Sequence, residues 1–204
     1  MDDRLLALCE ISNDLLFEKI PKGKLAYYVD HSLKAGRNAA EGLKGREIHE
    51  IYSENCITVA KHAPQKSSFG VILRGMATMS EKGCSIEVYG DSVRELAKYA
   101  GMDYGLAERV HLAHELFHFL EYKRGRSFSD ELEKVVTVRI FGYSRKAKIN
   151  RCEEVAAHAF AKEMLDLPCL PNYYDYLYLV GAGKMTREAL DGKLRVCSDM
   201  LNAA

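Results

Sequence analysis

His114-Glu115-Leu116-Phe117-His118 is the stretch on which the reading of this chain turns. A helix completes a turn in about 3.6 residues, so side chains four apart stand on one face, one above the other. His114 and His118 can then aim ring nitrogens at a single metal ion, and Glu115 beside them can reach a water held there. Two ordinary core histidines are the plain alternative, but the specificity of the three-position code favours a zinc site with its own base.

Working outward, the motif sits in a helix expected from about Tyr104 to Arg124, with Gly125 where a C-terminal stop belongs. Ser92 and Glu95 read as a capping box opening a shorter helix that ends near Gly101. Before it, residues 69–80 and Cys84 to Tyr89 suit strands joined by a turn at Glu81-Lys82-Gly83. The first 60 residues read as helical. Leu5, Leu6, Leu8, Ile11, Leu15 and Leu16 recur at helical spacing before Pro21 and Gly23. A second helix from Leu25 is interrupted by Gly36 and Gly42, and residues 46–61 form a third before a break at Pro64. After the motif, Leu132 to Tyr143 reads as extended. Asn150 with Glu153 reads as a capping box for a helix to about Asp166, ahead of Pro168 and Pro171. A last helix begins near Thr186.

Bulk properties bound the function. The 204 residues suffice for a sizeable core with 48% hydrophobic residues. Lys plus Arg and Asp plus Glu number 29 each, so overall charge suggests neither nucleic-acid nor membrane binding. Six scattered cysteines, with no C-x-x-C, argue against a cysteine zinc module and against a disulfide scaffold. No apolar run reaches the length of a membrane span, and no signal-peptide pattern opens the chain, so a reducing cytoplasm is expected.

A catalytic zinc generally takes three protein ligands and keeps a position for water. Glu153-Glu154, near the start of the next helix, offers a carboxylate, and the small residues after it would let the two helices approach closely. Acidic residues in a first turn also stabilise a helix without any metal, which is the reading preferred for Glu153. His158, four beyond Glu154, could support a ligand or replace Glu154. His111, three before His114, reads as a partly buried polar neighbour of the site.

These residues carry a resemblance. His114, Glu115 and His118, followed by Glu154-x-x-Ala157-x-x-Phe160-Ala161 and a helix ending at Leu167-Pro168, are similar to the ImmA/IrrE family of metallopeptidases. Thr186 to Leu194 also looks like that family's trailing helix, so the resemblance covers residues 84–195. Two departures stand out: His158 where the family usually has Asn or Asp, and a helix end one residue longer.

The resemblance implies an α+β, mostly helical zincin-like domain with a small antiparallel β-sheet packed on the HExxH helix. It implies one Zn2+ per chain on His114, His118 and Glu154, with Glu115 as general base. With the helical reading of the first residues, the chain divides into a helical region over 1–62, a metallopeptidase core over 63–170, and a helical extension over 171–204 that joins the core. The implied activity is cytoplasmic hydrolysis of a peptide bond in a specific protein, a separate helix-turn-helix repressor controlling a mobile element or stress response. No direct nucleic-acid contact and no membrane is expected.

Ser85 to Tyr89 is the expected edge strand for substrate. Tyr143, His158 and Tyr174 are candidates for a second oxyanion donor. Arg139, Arg145, Lys146, Lys148 and Arg151, in a stretch without an acid, read as a solvated loop, with steering of an acidic substrate segment as the alternative. Tyr173, Tyr174, Tyr176 and Tyr178 read as core packing. The rival overall reading is a non-catalytic zinc-stabilised module that binds a repressor without cutting it, for which Glu115 would be superfluous.

Overall fold

The computed structural model describes residues 1–62, without the His62 side chain, and 74–203. The motif helix, α5 in chain order, runs Tyr104–Arg124 and is bounded as its sequence demands. The Asp103 carboxylate accepts from the Leu106 N–H, and Gly125 closes the far end at φ +72°, a left-handed conformation that glycine adopts without a Cβ penalty. Leu112, Ala113, Leu116 and Phe117 are all buried, so α5 is a central element rather than a surface helix.

Its neighbour α6 spans Arg151–Leu165, and Phe117 of α5 meets Phe160 of α6 with ring centroids 5.8 Å apart. On the other flank of α6 lies α2, Leu25–Ala40. Gly36 does not interrupt α2; it lets α6 come close. A Cβ there would stand 2.1 Å from the Ala156 carbonyl oxygen and 2.7 Å from the Phe160 nitrogen. Together with buried Ala156, Ala157, Ala159 and Ala161, this fixes the helix that carries Glu154.

The N-terminal helix α1, Asp3–Ile11, packs on α6 and on the last helix, α8, Arg187–Asn202. One buried cluster accordingly runs from Leu6 through α2, α5 and α6 to Leu190 and Cys197. The tyrosine-rich segment forms α7, Asn172–Gly181, in which Tyr174, Tyr176 and Tyr178 are buried as expected.

Residues 46–61 correct the sequence reading. Only Ile48–Glu54 is helical (α3). The chain turns at Asn55 and at Cys56, whose φ is +54°, and Ile57–His62 becomes strand β1. Ile57, Thr58 and Val59 are β-branched, and their pairing with a distant strand overrides the helical reading. Strands β2, Gly75–Ser80, and β3, Gly83–Tyr89, form the expected hairpin. Residues 63–73, including Pro64 and the first part of the expected 69–80 strand, lie outside the described residues.

The sheet is mixed rather than antiparallel: β1 pairs parallel to β3, and β3 pairs antiparallel to β2. Ser85 to Tyr89 is therefore the central strand, with both its edges hydrogen-bonded, and cannot accept an added strand. Among the described residues the open edge nearest the motif helix belongs to β2. A second hairpin is made of β4, Val135–Ile140, and β5, Tyr143–Ala147.

Helix α4, Gly90–Ala100, starts two residues before Ser92, so the capping box read there does not form. Asn150 likewise makes no side-chain cap on α6; Glu153 accepts from the Ser127 and Ser129 hydroxyls instead. The architecture is α+β, with helices dominant and a small sheet against α5.

Candidate metal centre

Helix α5 presents His114 and His118 toward the first turn of α6, where Glu154 stands. The two Nε2 atoms are 3.2 Å apart; Glu154 Oε2 lies 3.3 Å from His114 Nε2, and Oε1 lies 3.8 Å from His118 Nε2. One ligand atom from each residue falls within 4.8 Å of the others, which makes the group a place that could hold a metal ion.

The chemistry of the donors fits a cation. A carboxylate only accepts, so the hydrogen bond of 3.0 Å between His118 Nδ1 and Glu121 Oε2 places the proton on Nδ1 and leaves the Nε2 lone pair facing His114 and Glu154. Glu121, at 8% side-chain exposure, is held in turn by the Phe128 N–H, 2.5 Å from its other oxygen. No motif in the sequence singles out Glu121. The available signal was its spacing three residues after His118, which shares a helix face.

Without metal, a proton stands in for the cation. Burial opposes a charge on His114, but the hydrogen bond and charge of Glu154, with Glu115 nearby, lift it to about 9. Burial pushes the Glu154 carboxyl up, yet His114, His118 and His158 hold it well below the usual carboxylate range. Opposed shifts of this kind are what a close His–Glu pair facing a cleft produces, and they make the group a candidate site.

His114 and Glu154 line a cavity of about 390 Å3. Glu115, His111 and His158 line it together with Glu10, Arg74, Arg151 and Asp175. Glu115 is largely buried, its Oε1 3.8 Å from His111 Nδ1, and it lines the same cavity as His114 and Glu154. His158 packs its ring 4.8 Å from that of His114 but falls outside the ligand group. Burial, then the charge of His114, keeps it neutral, and its Nδ1 has no partner among the described residues. His111 is also kept neutral by burial, its value lowered to about 4. It fits only because Gly75 at the start of β2 lacks a Cβ, which would stand 2.1 Å from His111 Nε2.

The two tyrosine candidates do not line this cavity. Tyr143 is 69% exposed on the second hairpin, and Tyr174 is buried with its hydroxyl against the Cys169 thiol. Glu153, given a capping role by the sequence, faces Ser127 and Ser129 and stays out of the ligand group. Two ion pairs frame the cavity: Arg151 with buried Glu10 at 3.0 Å, and Arg74 with Asp175 at 2.5 Å. Arg151 thus leaves the basic stretch to become part of the site. Comparison with known proteins finds no matching family model, and no curated protein or solved structure that matches.

Proposed function

We propose that this protein is a zinc-dependent endopeptidase. The observation that carries the reading is the approach of His114, His118 and Glu154 to within 4.8 Å of one another, with His114 and Glu154 on the wall of a cavity that Glu115 also lines. Two imidazoles and a carboxylate are the donor set of a catalytic zinc, which keeps a position for water and substrate. When bound, zinc supplies a Lewis acid that polarises the scissile carbonyl and makes a water easier to deprotonate.

The protein residues do the rest. Glu115 takes a proton from the attacking water on its carboxylate and returns it to the nitrogen of the leaving amine. His118, fixed by Glu121, and Glu154, fixed on α6 by the close approach of α2, hold the centre without reorganisation during the reaction. His158 stands beside the ligand group at the cavity wall and is the remaining candidate to donate to the developing oxyanion. The open edge of β2, whose first residue lines the cavity, is where an extended peptide would lie.

The resemblance to the ImmA/IrrE family nominates the substrate: a separate helix-turn-helix repressor, cut inside the cell. The test is incubation of the zinc-loaded protein with such a repressor encoded beside it. Cleavage by the wild type, lost with a chelator and in Glu115→Gln, is the expected result. Binding without cleavage would favour the non-catalytic module instead.

A further inference from the structure

The second hairpin is built to be seen from outside. Val138, Ile140, Phe141 and Tyr143 are exposed by 42%, 56%, 104% and 69%, four large apolar side chains within six residues. The cross-strand pairs Ile140 with Tyr143 and Val138 with Arg145 put three of them on one face. Burial falls steadily from Val135 at the base of β4 to the tip, so only the base packs on the body.

The turn itself is made of Phe141 and Gly142, both at positive φ, +46° and +84°. That is the two-residue hairpin turn in which asparagine is favoured at the first position; a phenylalanine there adopts the left-handed region against its steric preference. A strained, fully exposed aromatic ring at a turn tip contributes nothing to the core and points to a use beyond folding.

The charges are arranged behind the tip. Arg139, Arg145 and Lys146 are exposed, and none has an ion pair among the described residues; Lys148, nearer the base, is tied to Asp130 at 3.4 Å. No acid occurs from Val135 to Ile149. Phe141, Ile140 and Tyr143 therefore lead, and Arg139, then Arg145 beside Val138, then Lys146 follow toward the base. That order matches the layers of an anionic bilayer: hydrocarbon, interface, headgroups. A nucleic-acid backbone would meet aliphatic side chains before cations. A protein partner would need a groove shaped to a protruding tip.

We propose that the β4–β5 hairpin is a docking element for anionic lipid surfaces, seating Phe141 and Ile140 at the acyl boundary and Arg139, Arg145 and Lys146 among the headgroups. The inference departs from the expectation of no membrane contact and stands independently of the peptidase reading. It invokes no spanning segment, and no described helix is long and apolar enough to cross a membrane. Two weak signals, one apolar and one cationic, together give reversible surface binding.

The test is sedimentation of the full chain with vesicles of phosphatidylcholine alone and of phosphatidylcholine with about 30% phosphatidylserine, at low and near-physiological salt. Expected is binding to the anionic vesicles, weakened by salt, with little binding to the neutral ones. Arg139→Gln with Lys146→Gln should cost about fivefold in partitioning per charge removed. Phe141→Asn is the decisive variant: it suits the turn better, so the hairpin is kept or tightened, yet vesicle binding should fall. No binding to anionic vesicles, or binding indifferent to Phe141→Asn and to the double substitution, would overturn the proposal. So would salt-dependent binding to duplex DNA in place of vesicles.

Discussion

Glu121→Gln separates the metal ligands from the groups that aim them. In the wild type, one Glu121 oxygen accepts from His118 Nδ1–H at 3.0 Å and the other from the Phe128 N–H at 2.5 Å. Glutamine has a single oxygen, so it can serve one of these donors while its amide group faces the other. A neutral acceptor also makes a bond roughly half as strong as a carboxylate does. Outer-shell partners of metal-binding histidines are typically worth about 10- to 100-fold in metal affinity, or roughly 1.4 to 2.8 kcal/mol. Zinc dissociation constants should rise by that factor in competition titrations against a chromophoric chelator. The metal-free variant should also lose about 1 to 3 kcal/mol in urea unfolding, because a buried donor is left unpaired. Wild-type affinity in a folded Glu121→Gln protein would refute the claim that Glu121 orients His118.

Further outcomes follow from the same geometry. Glu115→Gln should keep the metal stoichiometry and lose turnover by about 100- to 10,000-fold, read by elemental analysis and cleavage of the repressor side by side. Metal-free His114 carries a proton at pH 7, since its value is raised to about 9. Loading should therefore release close to one proton at pH 7, and apparent affinity should climb about tenfold per pH unit up to that value before flattening. Calorimetry in buffers of different ionisation heat reads the proton directly, and none released would contradict the assignment. In the metal-free protein the His114 contribution to stability is full below its unfolded value and is lost as pH rises through about 9. The Glu154 contribution is present above the ordinary carboxylate value and is lost only in strong acid, so thermal stability should fall on both sides of a weakly acidic plateau. Gly36→Ala should destabilise by about 1 to 3 kcal/mol through overpacking against α6, outweighing the gain of up to ~1 kcal/mol that alanine brings to a helix. An unchanged melting temperature would show that α2 and α6 separate freely.

What the sequence made legible was local. The motif helix is bounded by an Asp103 cap and a Gly125 stop, both short-range signals, and its observed ends match the expected ones. His114, His118 and Glu115 are fixed by helical spacing alone. Glu154 was nominated by resemblance, and the structure brings it to the histidines. What escaped depends on partners far along the chain. β1 forms because β3 pairs with it, and that same parallel pairing moves Ser85 to Tyr89 from edge to centre. The capping boxes at Ser92 and Asn150 have the right spacing, but Ser127 and Ser129 engage Glu153 and α4 starts early. Arg151 looked like part of a solvated run until Glu10, from the other end of the chain, paired with it. Gly36 reads as a helix breaker in one dimension and as a close contact in three.

The most direct test of the central claim is the metal content of the purified protein by elemental mass spectrometry, with no metal added and no chelator used. The account predicts about one zinc per chain, lost in His114→Ala and retained in Glu115→Gln. A folded protein that contains no metal and takes none up on reconstitution would contradict it, and would leave His114, His118 and Glu154 as a partly buried ion-pair cluster.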